Sequence, residues 1–213
     1  MISEYPPITN GHKQNLLNMM HPSIPVNQLP AINNSWTLFL DRDGIINTDV
    51  IDDYIKSWDE FVFTEGCLEA LKILSPLFGR IVVVSNQRGV GRGLMTQETL
   101  DLITNNMLQE VKNTGGRIDK AYYCTSTDNA DINRKPNRGM ALQAKADFPE
   151  IDFGKSIMVG NMSSDMRFGR NIGAYTVYIP TRADGNPEPE TVDAVFKTLL
   201  AFAEAMISMH PVQ

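Results

Sequence analysis

Apolar and polar positions along this chain fall into two alternating kinds of block. Short apolar runs rich in β-branched and aromatic residues recur as WTLFL (36–40), RIVVVS (80–85), KAYYCT (120–125), KSIMVG (155–160) and AYTVYIP (174–180). Their length and composition predict strands. Between them, apolar residues recur at three- and four-residue spacing over 65–78, 96–113, 137–147 and about 189–209, the spacing of one buried helix face. The second of these opens on TQET, with Thr96 placed to cap and Glu98 in the first turn, although Thr99 stands where a capping box carries Glu or Gln. Strands alternating with helices predict parallel strands covered on both faces. The expected fold is α/β, a Rossmann-like doubly wound parallel sheet, with no internal repeat. In such sheets ligands bind beyond the carboxyl ends of the strands, where the strand order switches.

Residues 1–35 lack this pattern. They are rich in Pro, Asn and polar residues and read as an arm ahead of a domain spanning 36–213. Within the arm, NLLNMM (15–20) has the makings of one helical turn, and a partner-binding arm is one reading of the chain. The length of 213 residues, 42% hydrophobic and 21% charged, suits one globular domain. No apolar run approaches the ~20 residues of a membrane span, and the N-terminus shows no basic-then-apolar leader. The two cysteines, Cys67 and Cys124, make no disulfide framework, which fits a cytoplasmic setting. A net charge of -6 argues against nucleic-acid or membrane partners. His12, His21 and His210 all lie near the chain ends, so histidine acid–base chemistry is not expected in the core.

The informative residues follow the predicted strands. The first ends in DRDG (41–44), the second in SNQRGVGRG (85–93), the third leads to NRKPNRG (133–139), and the fourth ends in VGNMSSDM (159–166). Each alone has an ordinary reading as a turn or a solvated loop. All four at one sheet edge are a stronger signal. Asp41 and Asp43 pose the central question, because carboxylates that close repel and raise each other's pKa. A cation between them, or a proton on one, would relieve this. A calcium EF-hand is excluded because Ile45 and Ile46 occupy the fifth and sixth loop positions. GVGRG has the wrong spacing for a dinucleotide fingerprint and follows the second strand.

Taken together, FLDRDGIIN, DYIKSWDEFVFTEG, SNQRGVGRGLM and RKPNRGM resemble the haloacid dehalogenase superfamily of phosphohydrolases. Within it they are similar to the branch containing histidinol-phosphate phosphatases and D-glycero-D-manno-heptose 1,7-bisphosphate phosphatases. The resemblance covers about residues 36–180. It implies that Asp41 attacks phosphorus to form an aspartyl-phosphate. Asp43 would protonate the leaving alkoxide and then activate water, so Asp41 should be ionised and Asp43 able to hold a proton. Lys135 would neutralise charge on the phosphate and on Asp41. Asn47, Ser85, Asn86, Gln87, Arg92 and Arg134 would bind substrate, and Mg²⁺ would be held by Asp41, Asp43 through its backbone carbonyl, Asn161 and Asp165. Arg88 and Arg138 share these loops, either to draw in an anion or as plain surface. The 44–64 connection is too short for a cap domain. It reads as a short β flap on a capless enzyme, with Trp58 placed to close over substrate.

Two departures stand out. Many branch members carry a zinc loop with Cys and His ligands before the Arg-Lys-Pro. Here YYCTSTDNADINRKP (122–136) offers only Cys124, short of the four ligands zinc takes, so no zinc is expected. Asn161 stands where the family usually carries Asp, which implies weaker metal binding with Asp165 compensating directly or through a water. The resulting reading is a Mg²⁺-dependent phosphomonoester hydrolase acting on a small sugar phosphate, first a heptose bisphosphate, alternatively histidinol phosphate or another small monoester. A catalytically weakened phosphate-binding protein is the reading from another class. The expected partner is a small phosphorylated metabolite, with no nucleic acid and no membrane, for a monomer or homodimer.

Overall fold

A computed structural model describes residues 29–50 and 53–209. Residues 15–20, His12, His21 and His210 lie outside the described residues. Leu29 and Ile32, inside the stretch read as an arm, are buried in the larger core.

In chain order the regular elements are β1 (Thr37–Leu40), α1 (Cys67–Leu74), β2 (Arg80–Asn86), the single turn α2 (Arg88–Gly91), α3 (Gln97–Asn113), β3 (Lys120–Cys124), α4 (Gly139–Asp147), β4 (Ser156–Gly160), α5 (Ser163–Ile172), β5 (Tyr175–Tyr178), β6 (Ala194–Val195) and α6 (Leu199–Met209). The strands form one all-parallel sheet in the order β3-β2-β1-β4-β5-β6. Alternate residues of each strand feed opposite faces. Leu38, Leu40, Ile81, Val83, Ile157 and Val159 join one core, shared with Leu71 of α1, Met107 of α3 and Phe202 of α6. Phe39, Val82, Val84 and Met158 join the other, shared with Met140 of α4 and Phe168 of α5. The doubly wound architecture expected from the alternation is therefore present. The chain enters the sheet at β1, winds out to β3, then returns to β4, so the switch point lies between β1 and β4.

Local readings fare unevenly. Thr96 caps α3, its hydroxyl accepting from the Thr99 amide at 3.2 Å. The expected helix over 189–209 is divided into a 3-10 turn at Pro189–Thr191, strand β6, and α6. Pairing with the open edge of β5 wins there: the Asp193 amide donates to Thr176 O at 3.1 Å, and Asp193 takes the Thr176 amide at 2.9 Å. Helix α5 was not among the predicted helices, because its first turn carries the SSD of the fourth motif and its apolar residues are sparse. The flap after β1 is smaller than expected. It is pinned by one antiparallel bridge, Asn47 with Phe63, flanked by Thr48 N–H to Val62 O and Thr64 N–H to Ile46 O. Trp58 stacks on Phe61 with ring centroids 5.0 Å apart and packs on the core, so it does not line the cavity described next.

Candidate active site

The carboxyl ends of β1, β2 and β4, with the loop after β3, enclose a cavity of about 370 Å³. Asp41 follows β1 directly, its amide donating to Val159 O at 3.0 Å, which extends the β1–β4 pairing to the tip. Gly44 then turns the chain away. Its φ of +80° suits glycine, and a Cβ there would fall 2.0 Å from Asn161 Nδ2. The tips of β1 and β4 therefore approach closely only because residue 44 has no side chain.

Lys135 is the centre of the charge arrangement. It is 3% exposed, and its Nζ lies 2.8 Å from Asp41 Oδ1, 2.7 Å from Asp165 Oδ1 and 2.7 Å from Val84 O. Those three acceptors match the three donors of an ammonium. Burial alone would push the amine down, but the charges of Asp165 and Asp41 outweigh it and hold Lys135 above its ordinary range. Asp165 is fully committed. Its second oxygen accepts from the amides of Asn161 at 3.1 Å and Met162 at 3.0 Å at the start of α5. Asn86 reaches the same loop, with its Oδ1 accepting from Lys135 N at 3.0 Å and its Nδ2 donating to Lys135 O at 3.2 Å. Its side chain thus positions Lys135.

Asp43 sits in a cradle of donors. Oδ1 accepts from Arg42 Nε at 3.1 Å, Arg42 Nη2 at 2.8 Å and Asn47 Nδ2 at 3.0 Å, and Oδ2 accepts from Gln87 Nε2 at 2.6 Å. Asn47 and Gln87, expected on the substrate, are 0% and 1% exposed and do not line the cavity. They lie behind Asp43 and orient it. Arg42, unremarked in the sequence, is 1% exposed and clamps the same carboxylate.

The two aspartates are pushed apart in the opposite sense to that expected. Burial, with the nearby Asp165 charge, lifts Asp41 to about 7, only partly offset by Lys135. Burial also pushes Asp43 up, but the Arg42 charge and the Arg42, Asn47 and Gln87 hydrogen bonds outweigh it and hold it below the usual carboxylate range. The physical reason is the count of partners: Asp41 and Asp165 share one ammonium, while Asp43 has a guanidinium to itself.

One further group is unsatisfied. Asn161 is 0% exposed, its Nδ2 donates to Thr181 Oγ1 at 2.8 Å, and its Oδ1 is buried with no hydrogen-bond partner. Ser85, 1% exposed at the end of β2, lines the cavity and accepts from Gln87 Nε2 at 3.0 Å, which leaves its own hydroxyl proton to give. Toward the mouth, Arg92 lies over the Tyr54 ring at 5.9 Å, and Arg134 carries a buried Nη1 without a partner. Burial and the charges of Arg88 and Arg92 hold Arg134 below its ordinary value. Arg138 is exposed, as plain surface would be.

The loop between β3 and α4 is braced by short side chains. Asp131 Oδ1 takes the Asn133 amide at 2.8 Å, Asp131 O takes Asn137 Nδ2 at 2.8 Å, and Asp128 Oδ1 takes the Ala130 amide at 2.8 Å. Cys124 is buried at the end of β3, and among the described residues no group of three His, Cys, Asp or Glu side chains is arranged to hold a metal. No helix among the described residues is long and apolar enough to cross a membrane.

Comparison with known proteins agrees with this geometry. Residues 38–183 match the family model described as polynucleotide kinase 3 phosphatase. The D-glycero-alpha-D-manno-heptose-1,7-bisphosphate 7-phosphatase of Mycobacterium tuberculosis is 34% identical over 175 residues, covering 81% of this chain and 92% of the relative. The D-glycero-beta-D-manno-heptose-1,7-bisphosphate 7-phosphatase of Escherichia coli is 32% identical over 180 residues, covering 79% and 92%. Among solved structures, D,D-heptose 1,7-bisphosphate phosphatase from B. bronchiseptica, complexed with magnesium and phosphate, superposes with a TM-score of 0.73 at 28% identity, covering 81% of this chain and 98% of that one.

Proposed function

The chain belongs to the family matched by the polynucleotide kinase 3 phosphatase model and, within the haloacid dehalogenase phosphatases, to the heptose bisphosphate phosphatase branch; from that premise we propose that it hydrolyses a small sugar phosphate, a heptose 1,7-bisphosphate first, through an aspartyl-phosphate on Asp41. The observation that carries this reading is Lys135 held between Asp41 and Asp165 at the floor of the cavity.

The oxygen donors present fit a hard dication. Asn161 Oδ1 is an orphaned buried acceptor, and neither the second oxygen of Asp41 nor the Asp43 carbonyl takes a hydrogen bond from the described residues. These three would hold Mg²⁺, which when bound supplies charge neutralisation at the carboxylate and the phosphoryl oxygens. Asp165, with both oxygens engaged, supports the site by holding Lys135 and the β4–α5 turn. In the first step an Asp41 oxygen attacks phosphorus and the bond to the leaving alkoxide breaks. Asp43 gives that alkoxide a proton, and Oδ2 is suited to carry it because a single amide holds it. The dianionic ester entering the cavity raises the affinity of Asp43 for that proton. In the second step Asp43 takes a proton from water, the oxygen attacks phosphorus, and Asp41 leaves as carboxylate. Lys135 and the Ser85 hydroxyl balance the phosphoryl oxygens throughout.

Arg134 and Arg92 suit the second phosphate of a bisphosphate, since the buried Arg134 Nη1 lacks a partner. The β3–α4 loop keeps its shape by the Asp and Asn braces, without zinc. Two buried, unpaired cysteines fit a reducing cytoplasmic setting. The test is phosphate release over heptose bisphosphates, hexose phosphates, histidinol phosphate and nucleotides, with and without Mg²⁺. Mg²⁺-dependent release, greatest on a heptose bisphosphate and abolished by Asp41→Asn, is the expected outcome. Release that survives Asp41→Asn would overturn the assignment of the nucleophile.

A further inference from the structure

Asn161 lines the reaction cavity, and the two ends of its amide differ in chemistry. A carboxylate offers a cation either oxygen. An asparagine offers one oxygen, and its other end is an NH₂ that a cation repels. Which way the amide is turned therefore decides whether Asn161 serves as a ligand at all.

The tip of β5 supplies a group that turns it. Asn161 Nδ2 donates to Thr181 Oγ1 at 2.8 Å. Thr181 lines a second cavity of about 650 Å³ and not the reaction cavity. The nitrogen and oxygen of an amide lie on opposite sides of its carbon, so with Nδ2 committed to Thr181 the partnerless Oδ1 faces away from it. Gly44 completes the slot, since a Cβ there would fall 2.0 Å from Asn161 Nδ2 and 2.9 Å from Thr181 Oγ1. Thr181 is itself held in place. Its amide donates to Ile179 O at 2.8 Å, the Ile179 amide donates to Gly160 O at 2.9 Å, and the Ser163 amide donates to Gly185 O at 2.9 Å. The 179–185 segment is thus stitched to the residues on either side of Asn161. Thr181 is exposed, which leaves its hydroxyl proton to solvent and its oxygen free to accept.

We propose that Thr181 is a positioning residue for the metal ligand: by taking Asn161 Nδ2 it presents Asn161 Oδ1 to Mg²⁺. This rests on the metal assignment made above and adds to it a residue from beyond β5. The hydroxyl matters most with the metal bound. Without metal, an Asn161 deprived of the Thr181 oxygen can turn its NH₂ into the wet cavity. With metal bound it cannot, and the NH₂ is left buried and unpaired. Removing the hydroxyl therefore weakens metal binding itself.

The test is the affinity of the full-length chain for Mn²⁺, which takes the same oxygen donors as Mg²⁺. Binding is followed through the electron paramagnetic resonance signal of the free ion, with the melting temperature measured alongside. Thr181→Val, which keeps the shape and removes the oxygen, is expected to weaken Mn²⁺ about tenfold. Thr181→Ser, which keeps the hydroxyl, is expected to stay within about twofold of the unmutated chain. In the Asn161→Asp background the loss caused by Thr181→Val is expected to shrink to about twofold or less, because either carboxylate oxygen can then ligate. An affinity unchanged by Thr181→Val would overturn the proposal, whatever the melting temperature does. So would a loss that Thr181→Ser shares, or one equally large in the Asn161→Asp background, because either would mean loop packing rather than amide orientation. No Mn²⁺ binding by the unmutated chain would overturn the metal assignment and the proposal together. The expected Mn²⁺ pattern without phosphate release from any ester would overturn the phosphatase reading and leave the role of Thr181 standing.

Discussion

Asp43 takes hydrogen bonds from four donors, and three side chains supply them. Two of those side chains never reach the cavity. Gln87→Leu should therefore lower kcat about tenfold or more with little change in KM, because it misplaces the proton carrier without touching bound substrate. A comparable rise in KM would mean that Gln87 contacts the ligand. Asn161 carries a second expectation. Its orphaned Oδ1 points to metal ligation, so Asn161→Asp should tighten Mg²⁺, read as a lower Mg²⁺ concentration for half-maximal rate; an unchanged value would remove Asn161 from the metal's ligands. Gly44→Ala combines a left-handed backbone with a clash on Asn161, and should cost both thermal stability and activity. Residue types and spacing made Asp41, Asp43, Ser85, Lys135, Asn161 and Asp165 legible in the sequence. The placing of Asn47 and Gln87 behind Asp43, outside the cavity lining, was not, because the direction of a hydrogen bond depends on what surrounds the side chain.

Among the elements, the β3–α4 loop is braced by hydrogen bonds among its own short side chains. Asp128, Asp131, Asn133 and Asn137 are residues that fold back on nearby backbone readily, and they hold Arg134 and Lys135 at the cavity. Zinc chelators should leave the melting temperature unchanged, while Asp131→Ala should lower it and reduce activity with it. A chelator-induced drop would show that the loop carries zinc. The cap of α3 was readable because capping is local in sequence, and Thr96→Ala should cost about 1 kcal/mol in chemical denaturation. The division of 189–209 was not readable, since strand β6 exists only because the β5 edge lies beside it.

The whole molecule is a three-layer sandwich whose core holds a silent thiol. Burial, against a weaker Thr64 hydrogen bond, pushes Cys67 up to about 12 from 9.0. Its stabilising effect is complete below pH 9, where the unfolded thiol is still protonated, and is lost as pH rises toward 12. Between those limits the unfolded state releases its proton first, so stability should fall by about 1.4 kcal/mol per pH unit from this group alone. Cys67→Ala should lower stability at neutral pH and flatten that slope, as followed by denaturant titration at pH 8 and pH 11. The alternation of strand and helix, the parallel sheet and the reactive residues at its edge were determined by the sequence alone, because periodicity and motif chemistry are local properties. Which carboxylate shares its cation, and which side chains stand behind Asp43, were decided only by the tertiary structure. Charge partners there come from β1, β2, β3, β4 and β5 at once, and no spacing along the chain encodes their distances in space.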